Sequence, residues 1–485
     1  MRRGWRVLAA AFALACLTPA SAREPATLQT QVEAVLAQAG PGPRFGLVVL
    51  GEDGRELIAI NPDGRFIPAS NTKIFTTAVA FATMGELDGP DAAGGTSVRL
   101  EGATTPDVIL TGRGDARLSS APDCMADCLS SLADAVAART RVVRDVVGDA
   151  GLFPDQRWSP GMSWNNIPTR SGTAVSALSL DDNELQIRAA PGPIGQPPRL
   201  EFAAYYQIEN RAVTVPSGAA ELSFDRLPGS MVLRLTGTIG ADAEPELLRA
   251  GIDDPAHYAA WRFKALLEER KIRVIGKVTA RHRPSRPTDD PAMRNGAPPP
   301  RPPEPDALAR LTPPPLREDI AAINKQSQNL HAELLLRRVG LRDGTGSIED
   351  GVAAVRAMME QADVPRAAYD LSDGSGMSTY NRVAPRGMAT LLRWIAAQPW
   401  GAAWRETLPI GGVDGTLARR FHGTPLQGRL FAKTGTLNAT NALSGYLLTR
   451  GGHTLIFSAY ANDVPAGMSA TAMVDEALEL IAASN

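Results

Sequence analysis

Two apolar runs near the start of the chain, residues 44–50 and 55–60, are separated by the pair Asp53-Gly54. Apolar runs joined by an Asp-Gly turn are typical of a β-hairpin. Between Ser70 and Phe81 the apolar positions recur at the three- and four-residue spacing of a helix. The pattern therefore predicts a hairpin followed by a helix that begins at Ser70.

The C-terminal end of the chain mirrors the N-terminal end. Residues 430–433 form a short strand pattern, and residues 441–449 and 453–461 alternate on either side of the Gly451-Gly452 turn. Residues 468–483 return to helical spacing. If these three antiparallel strands share one sheet with the hairpin, the first predicted helix and the last one can cover one of its faces. We therefore predict an α+β fold, in which both chain ends build one split domain around a central antiparallel sheet.

The middle of the chain has a different pattern. Residues 90–283 contain short strand-like runs such as 108–111 and 231–236, which predict a mainly β inserted module, open to division into two nested subdomains. Twelve of the 38 prolines follow between Pro284 and Pro315, as expected for an extended loop. Helical spacing then returns over residues 319–339, with Ser327 within or beside it.

Two more helices, over 351–361 and 383–398, flank a Gly- and Ser-rich loop at 372–378. The predicted divisions are a leader over 1–22, the first part of the split domain over 23–89, the inserted module over 90–283, the proline-rich loop over 284–315 and the second part of the split domain over 316–485.

Length and charge restrict the function. A chain of 485 residues has room for two to four domains of roughly 150 residues each. The formal net charge of −2 provides no basic field for nucleic acid. The start of the chain has the parts of a secretory signal peptide: a segment at 2–6 with three arginines, an apolar stretch at 7–17 and Ala20-Ser21-Ala22. Because that stretch is too short to span a core of about 30 Å, we expect cleavage, export and at most peripheral membrane contact.

Cys124 and Cys128 are the two cysteines that remain after such cleavage. Exported proteins can form disulfides. A spacing of four on a helix would place the two Cα atoms about 6 Å apart, near the outer limit for a bridge. The sequence leaves a disulfide and two small buried thiols equally open.

Lysine usage directs attention to the chemistry. Only six of the 50 basic residues are Lys, yet two of them stand in Ser70-Asn71-Thr72-Lys73 and Lys433-Thr434-Gly435. Arg stays charged, whereas a desolvated Lys can lose its proton and act as a base. Lys73 shares a helical face with Ser70, so its amine can take the proton of that hydroxyl. Burial and the nearby charge of Lys433 would both lower the pKa of Lys73.

Two further segments complete a candidate site. In Ser327-Gln328-Asn329 we expect Ser327 to relay a proton between Lys73 and a leaving amine, and the Asn329 amide to hold the substrate backbone. In the predicted strand, Lys433 and Thr434 can meet a terminal carboxylate, and Gly435 leaves room for an extended peptide. Each segment alone is weak, but together they occur in a consistent order.

The chain resembles the class C low-molecular-mass penicillin-binding proteins, which are D-alanyl-D-alanine carboxypeptidase/endopeptidases of the penicillin-binding protein 4 type (peptidase family S13). The resemblance runs from about Leu28 to the C-terminus, and beside the three segments above it rests on Gly112–Ser120, Val175–Leu178, Asp373–Ser378, Gly412–Leu417 and Lys433–Thr436.

The resemblance implies that the split domain is a penicillin-binding domain of the β-lactamase/transpeptidase type. It also implies that Ser70 is acylated by the penultimate D-Ala of peptidoglycan stem peptides and by β-lactam antibiotics. Lys73 would accept the proton, the oxyanion hole would use the amides of Ser70 and Thr436, and the location would be periplasmic. No cofactor is implied, and a homodimer is left open.

The chain departs from the family pattern in two places. Asn165 and Asn166 stand where relatives carry an acidic pair, and Thr379 follows Ser378 where Arg is frequent. Both regions are implicated in binding the charged end of the stem-peptide side chain, so we expect weaker selection for that end. Compensation by a neighbour such as Arg170 or Arg382 stays open.

Two rival functions remain. A β-lactamase of the same superfamily would need a second base for fast deacylation, and no candidate loop for one is found. A binding protein that retained the fold without activity is disfavoured because every motif residue is present. The five histidines lack ligand spacing, which argues against zinc and against a Ser-His-Asp triad.

Overall fold

The structure is a computed structural model that describes residues 27–485. The predicted signal peptide therefore lies outside the described residues. Within residues 27–485, no helix has the length and apolar character needed to cross a membrane.

The described chain forms ten α-helices and 21 strands. The helices are α1 Leu28–Ala37, α2 Thr72–Thr83, α3 Leu129–Ala137, α4 Pro255–Glu269, α5 Leu316–Lys325, α6 Asn329–Asp343, α7 Ile348–Gln361, α8 Pro385–Ala396, α9 Gly401–Arg405 and α10 Ala470–Ser484. The strands are β1 Arg44–Leu50, β2 Glu56–Ile60, β3 Ser97–Glu101, β4 Asp107–Thr111, β5 Val142–Val143, β6 Val146–Pro154, β7 Glu184–Ala190, β8 Arg199–Phe202, β9 Gln207–Asn210, β10 Val213–Val215, β11 Glu221–Asp225, β12 Val232–Gly240, β13 Glu246–Gly251, β14 Arg273–Val274, β15 Val278–Arg283, β16 Ala309–Arg310, β17 Tyr369–Asp370, β18 Arg382–Val383, β19 Leu430–Leu437, β20 Thr440–Leu448 and β21 Thr454–Asn462.

The two chain ends share one antiparallel sheet, as predicted, with the strand order β19-β20-β21-β1-β2. Val48 of β1 lies opposite Ser458 of β21, and Lys433 of β19 lies opposite Ser444 of β20. Strand β19 therefore forms one edge of the sheet, which leaves half of its backbone groups without a neighbouring strand.

Alternation along the strands divides the core into two layers. On β1, Leu47 and Val49 pack against α1 and α10, whereas Val48 and Leu50 pack against α2, α6, α7 and α8. The prediction that the helix at Ser70 shares a face with the last helix is therefore wrong. The partner of α10 is α1, a helix that the sequence analysis did not predict.

Residues 97–310 contain several further sheets and a separate apolar core. One sheet has the order β15-β6-β4-β3-β16, another has β13-β7-β8, and β9 to β12 form a third. Helices α3 and α4 pack in this core, which Leu330 and Leu334 of α6 also enter. Part of the proline-rich segment pairs back to the module, because β16 adds to β3. The domain boundaries stay a prediction.

Cys124 and Cys128 form a disulfide, with their Cα atoms 5.7 Å apart. The pair does not lie on a helix, since both cysteines precede α3 and Cys128 is the residue just before its first turn. The irregular loop brings the Cα atoms to a normal distance for a bridge.

Candidate active site

Ser70 lies in a short 3-10 turn, Ala69–Asn71, that leads directly into α2. Ala69 has a positive φ of 47°. Gly376 packs on this turn so closely that a Cβ atom on it would lie 1.9 Å from the Ala69 carbonyl oxygen. The loop at 372–378 therefore supports the main chain that carries the Ser70 hydroxyl.

Lys73 is fully buried, and three oxygen atoms surround its amine. Nζ donates to Ser70 Oγ at 2.9 Å, to Asn329 Oδ1 at 2.7 Å and to the Ser375 carbonyl oxygen at 2.7 Å. The amide and carbonyl oxygens can only accept hydrogen bonds, whereas a hydroxyl can also donate. A neutral amine would keep its two N–H bonds on the two acceptors and direct its lone pair at Ser70. The geometry therefore suits transfer of the Ser70 proton to Lys73.

Burial and two carboxylates set the charge of Lys73. Burial lowers the pKa of Lys73 to about 7, while the negative charges of Asp373 and Glu333 oppose the shift. Burial, followed by the charge of Glu333, raises the pKa of Asp373 to about 6. A substantial fraction of Lys73 is therefore neutral near pH 7, where a base of this pKa is most effective.

Glu333 and Asp373 are site residues to which no role was assigned from the sequence, although Asp373 begins one of the segments that carry the family resemblance. Glu333 Oε1 accepts from the backbone N–H groups of Gly374 and Ser375 at 3.1 and 2.9 Å. Asp373 accepts from the backbone N–H groups of Gly376 and Ser378 at 2.9 and 2.6 Å. These bonds fold the loop so that the Ser375 carbonyl reaches Lys73. The available signal was a lone carboxylate in the apolar stretch of 330–336.

Ser327 and Asn329 lie where the predicted helix over 319–339 is interrupted. Helix α5 ends at Lys325 and α6 begins at Asn329. We call residues 326–328 the hinge. Ser327 has a φ of 60°, in the left-handed region that a non-glycine residue adopts only when its surroundings hold it.

The hydrogen bonds of this segment differ from the sequence-based expectation. Ser327 Oγ accepts from Lys433 Nζ at 2.9 Å, and within residues 27–485 it has no hydrogen bond to Lys73. Asn329 joins Lys73 to the Ser171 carbonyl, to which its Nδ2 donates at 2.9 Å, and its predicted contact with the substrate backbone stays a prediction. The left-handed turn explains the change, because it directs Ser327 toward β19 and leaves Asn329 beside α2.

Strand β19 carries Lys433 as predicted. Lys433 is fully buried, and burial lowers the pKa of Lys433 well below its usual range, with a further decrease from the charge of Lys73. Nζ also donates to the Thr434 carbonyl oxygen at 3.0 Å. The prediction that the charge of Lys433 lowers the pKa of Lys73 is therefore wrong: the effect runs the other way, from Lys73 to Lys433, while the shift of Lys73 comes from burial.

The remaining residues of the Lys433 segment have separate positions. The Thr434 hydroxyl lies 2.7 Å from that of Thr416, and Thr436 is exposed at the sheet edge. A Cβ atom on Gly435 would lie 2.6 Å from the Pro68 carbonyl oxygen. The chain's own turn before Ser70 therefore requires glycine at this position, and the room that Gly435 leaves for an incoming peptide stays a prediction.

Asn165, Asn166 and Thr379 belong to two segments that lie side by side. Asn165 and Asn166 form a 3-10 turn with Trp164, and Asn165 Oδ1 accepts from Ser163 Oγ at 2.5 Å. Thr379 donates through both its backbone N–H and its hydroxyl to the Gly161 carbonyl, at 3.0 and 2.9 Å. The structure thus brings the residues of the predicted side-chain pocket to one region, while their role stays a prediction.

The site as a whole combines a serine at the start of a helix, a buried lysine of lowered pKa and an open strand edge. Such a site can transfer an acyl group to the serine without a metal. In the part of the chain that the structure describes, no cluster of three or more potential metal ligands is found.

Comparison with known proteins agrees with this class of site. The model of the D-Ala-D-Ala carboxypeptidase 3 (S13) family matches residues 28–484, and the chain belongs to this family. The D-alanyl-D-alanine carboxypeptidase of Actinomadura sp. (strain R39) is 32% identical over 456 residues, which cover 89% of this chain and 80% of that protein.

Solved structures share the fold. Penicillin binding protein 4 from Haemophilus influenzae superposes with a TM-score of 0.77 at 22% identity, covering 93% of this chain and 98% of that one. The same protein complexed with a novel β-lactam gives a TM-score of 0.72, again at 22% identity and with the same coverage.

Proposed function

We propose that this protein is a serine-type D-Ala-D-Ala carboxypeptidase, and also an endopeptidase, that acts on peptidoglycan stem peptides through an acyl-Ser70 intermediate. The observation that carries the proposal is the contact of the buried Lys73 amine with Ser70 Oγ at 2.9 Å. Membership of the S13 family and the carboxypeptidase activity named for the Actinomadura relative support the substrate class.

The substrate would lie along the free edge of β19. Gly411 and Pro409 cover this edge only as far as Ala432, through the bonds Gly411 N–H to Leu430 O and Ala432 N–H to Pro409 O. By alternation, the N–H of Thr436 points to the same, uncovered side. The N–H of Ser70, near the start of its turn, has no helical partner. These two amides are the proposed oxyanion hole, each worth roughly 3 kcal/mol in the transition state.

Acylation follows from the proton positions. Neutral Lys73 removes the Ser70 proton while Oγ attacks the carbonyl carbon of the penultimate D-Ala. The positive charge that arrives on Lys73 lowers the pKa of Lys433 further. Lys433 then gives a proton to Ser327, at 2.9 Å, and Ser327 gives its own to the leaving amine as the C–N bond breaks.

Deacylation reverses these transfers. Water takes the place of the leaving amine, and its proton passes through Ser327 to Lys433 as its oxygen attacks the ester. Lys73 returns its proton to Ser70, and both lysines recover their initial charge. A β-lactam would enter as a mimic of the D-Ala-D-Ala terminus, and its ester would persist because the leaving amine stays attached and blocks the water.

The remaining sequence predictions belong to the same proposal. The enzyme would be exported, in the periplasm, with the domain divisions given above and without a cofactor. Thr434 and Lys433 would bind the terminal carboxylate.

The test is incubation with a purified pentapeptide stem ending in D-Ala-D-Ala, with chromatography of the products and mass measurement after addition of penicillin. Released D-Ala and a stable adduct of one penicillin, both absent in Ser70→Ala, are expected. Activity that survives in Ser70→Ala, or rapid turnover of penicillin in the wild type, would contradict the proposal.

A further inference from the structure

A cavity of about 910 Å³ lies between the inserted module and the hinge. Its hinge side is formed by α5 and the start of α6, and its module side by the segments at 116–122 and 181–186. Side chains that face a cavity of this size lack packed neighbours there. The hinge, which carries Ser327, is therefore not held by close packing on this side.

His331 lies in the first turn of α6 and connects the two sides of this cavity. It is buried, and its two ring nitrogens contact carboxylates from different parts of the chain. Nε2 lies 2.8 Å from Asp182 of the inserted module, and Nδ1 is hydrogen-bonded to Asp319 of α5. Burial disfavours the charged ring, but the charge of Asp319 and the bond to Asp182 outweigh it and raise the pKa of His331 to about 10. Both nitrogens therefore donate.

Asp182 is held in an unusual turn. Asp181, Asp182 and Asn183 all have positive φ angles, of 50°, 57° and 51°. Such angles cost free energy at non-glycine residues and persist only where the surroundings impose them. The buried Asn183 supplies that support, because its Nδ2 donates to the Ala174 carbonyl and its Oδ1 accepts from the Leu180 N–H, both at 3.0 Å.

The first turn of α6 thus meets the module through polar and apolar contacts. Asn329 reaches the Ser171 carbonyl and His331 reaches Asp182, while Leu330 enters the apolar core of the module. Apolar burial is non-directional. The rotation of this turn, and with it the position of Asn329 Oδ1 against Lys73, must come from the polar contacts.

We propose that His331 is a positioning residue: its bond to Asp182 lets the inserted module hold the first turn of α6, and so keeps Asn329 on Lys73 and Ser327 on Lys433. The inference rests on the proposed function, because its readout is the acylation of Ser70. It also assigns the module a role in catalysis that does not require contact with the substrate.

Two substitutions of His331 separate the two bonds. By side-chain length, the amide nitrogen of His331→Asn can replace Nδ1, and that of His331→Gln can replace Nε2. His331→Asn keeps the bond to Asp319 and loses the bond to Asp182, and His331→Gln does the reverse. His331→Gln leaves Asp319 without its partner, and His331→Asn leaves Asp182 without its partner. Asp319 is the more buried of the two carboxylates, since its side chain is 8% exposed and that of Asp182 is 39% exposed.

The two variants should therefore rank in opposite orders by Tm and by kcat. An unpaired buried carboxylate is the more destabilising defect, so we expect the Tm to fall further in His331→Gln. A small displacement of a catalytic group can cost roughly 10- to 100-fold in rate. We expect such a loss of kcat, and of the penicillin acylation rate, in His331→Asn, with KM within about threefold and with His331→Gln within about threefold of the wild type in kcat.

Asp182→Gly provides the second test, because it removes the oxygen that accepts from His331 Nε2, and glycine adopts the positive φ of 57° at this position without strain. It should behave like His331→Asn. The control is Arg294→Gln, which breaks a comparably buried ion pair with Asp350, at 2.6 Å, away from the hinge and the cavity. It should lower the Tm and leave kcat unchanged. All rates are measured well below the lowest Tm.

The inference is overturned if kcat of the two His331 variants follows the order of their Tm values, or if Asp182→Gly and His331→Asn retain the wild-type kcat. A wild-type protein that neither releases D-Ala nor binds penicillin would instead refute the proposed function. The two failures are therefore distinguishable.

Discussion

The rate of Ser70 acylation should rise with pH through about 7, the value to which burial lowers the pKa of Lys73. Only the neutral amine can take the Ser70 proton, and its fraction falls about tenfold for each pH unit below the pKa. Asp373 modifies this rising limb of the pH–rate profile. Its pKa is raised to about 6, so at lower pH it becomes neutral and no longer favours the charged form of Lys73. Below pH 6 the limb should therefore be shallower than tenfold per unit.

Lys73→Arg should remove this limb. The guanidinium keeps its proton across the range, so we expect a loss of at least about 100-fold at pH 7 and no rise between pH 5 and 8. The assay is the second-order rate constant for labelling by a fluorescent penicillin, measured by stopping the reaction at set times and resolving the labelled protein.

The control for that substitution is Lys264→Arg, on the surface of α4, where the amine pairs with Glu268 at 3.1 Å. It should reproduce the wild-type profile. A Lys73→Arg variant that acylates within tenfold of the wild type, or a wild-type rate that does not change with pH between 5 and 8, would refute the assignment of Lys73 as the base.

Three further predictions follow from single features. Gly435→Ala should lose most acylation and lower the Tm, because its Cβ atom would lie 2.6 Å from the Pro68 carbonyl that supports Ser70; labelling and thermal unfolding of the purified variant test this. Replacing Cys124 and Cys128 by Ser should reduce the free energy of unfolding by about 2 kcal/mol, the chain-entropy value for so short a loop, as measured in urea, while kcat is retained. The departures at 165–166 and 379 predict similar cleavage of stem peptides with and without a charged side-chain end, and a large preference for the charged peptide would show that the pocket is intact.

The relative orientation of several catalytic side chains could be predicted from the sequence, because it depends on neighbouring residues of the same element. Ser70 and Lys73 are one helical turn apart, and Lys433 stands in an alternating strand, so backbone periodicity alone predicts their mutual directions. The sharing of one sheet by both chain ends also followed from pattern. The helix α1 was not predicted, and α10 was placed on the same face of the sheet as the helix at Ser70, because alternation does not say which helix covers which side.

The hydrogen bonds within the site could not be predicted, because they depend on a few backbone angles. In the left-handed conformation of Ser327, its hydroxyl is hydrogen-bonded to Lys433 and not to Lys73. No residue type in the hinge indicates this conformation. The roles of the Glu333 and Asp373 carboxylates were likewise not predicted, since these roles depend on their position beside the buried Lys73.

The reacting groups follow from the amino-acid sequence, because hydroxyl, amine and order along the chain are properties of residues and spacing. The pKa of Lys73, the partner of each donor and the contact of His331 with Asp182 follow from the folded chain. Those quantities depend on burial and on distances between segments about 150 to 300 residues apart, which side-chain periodicity cannot report.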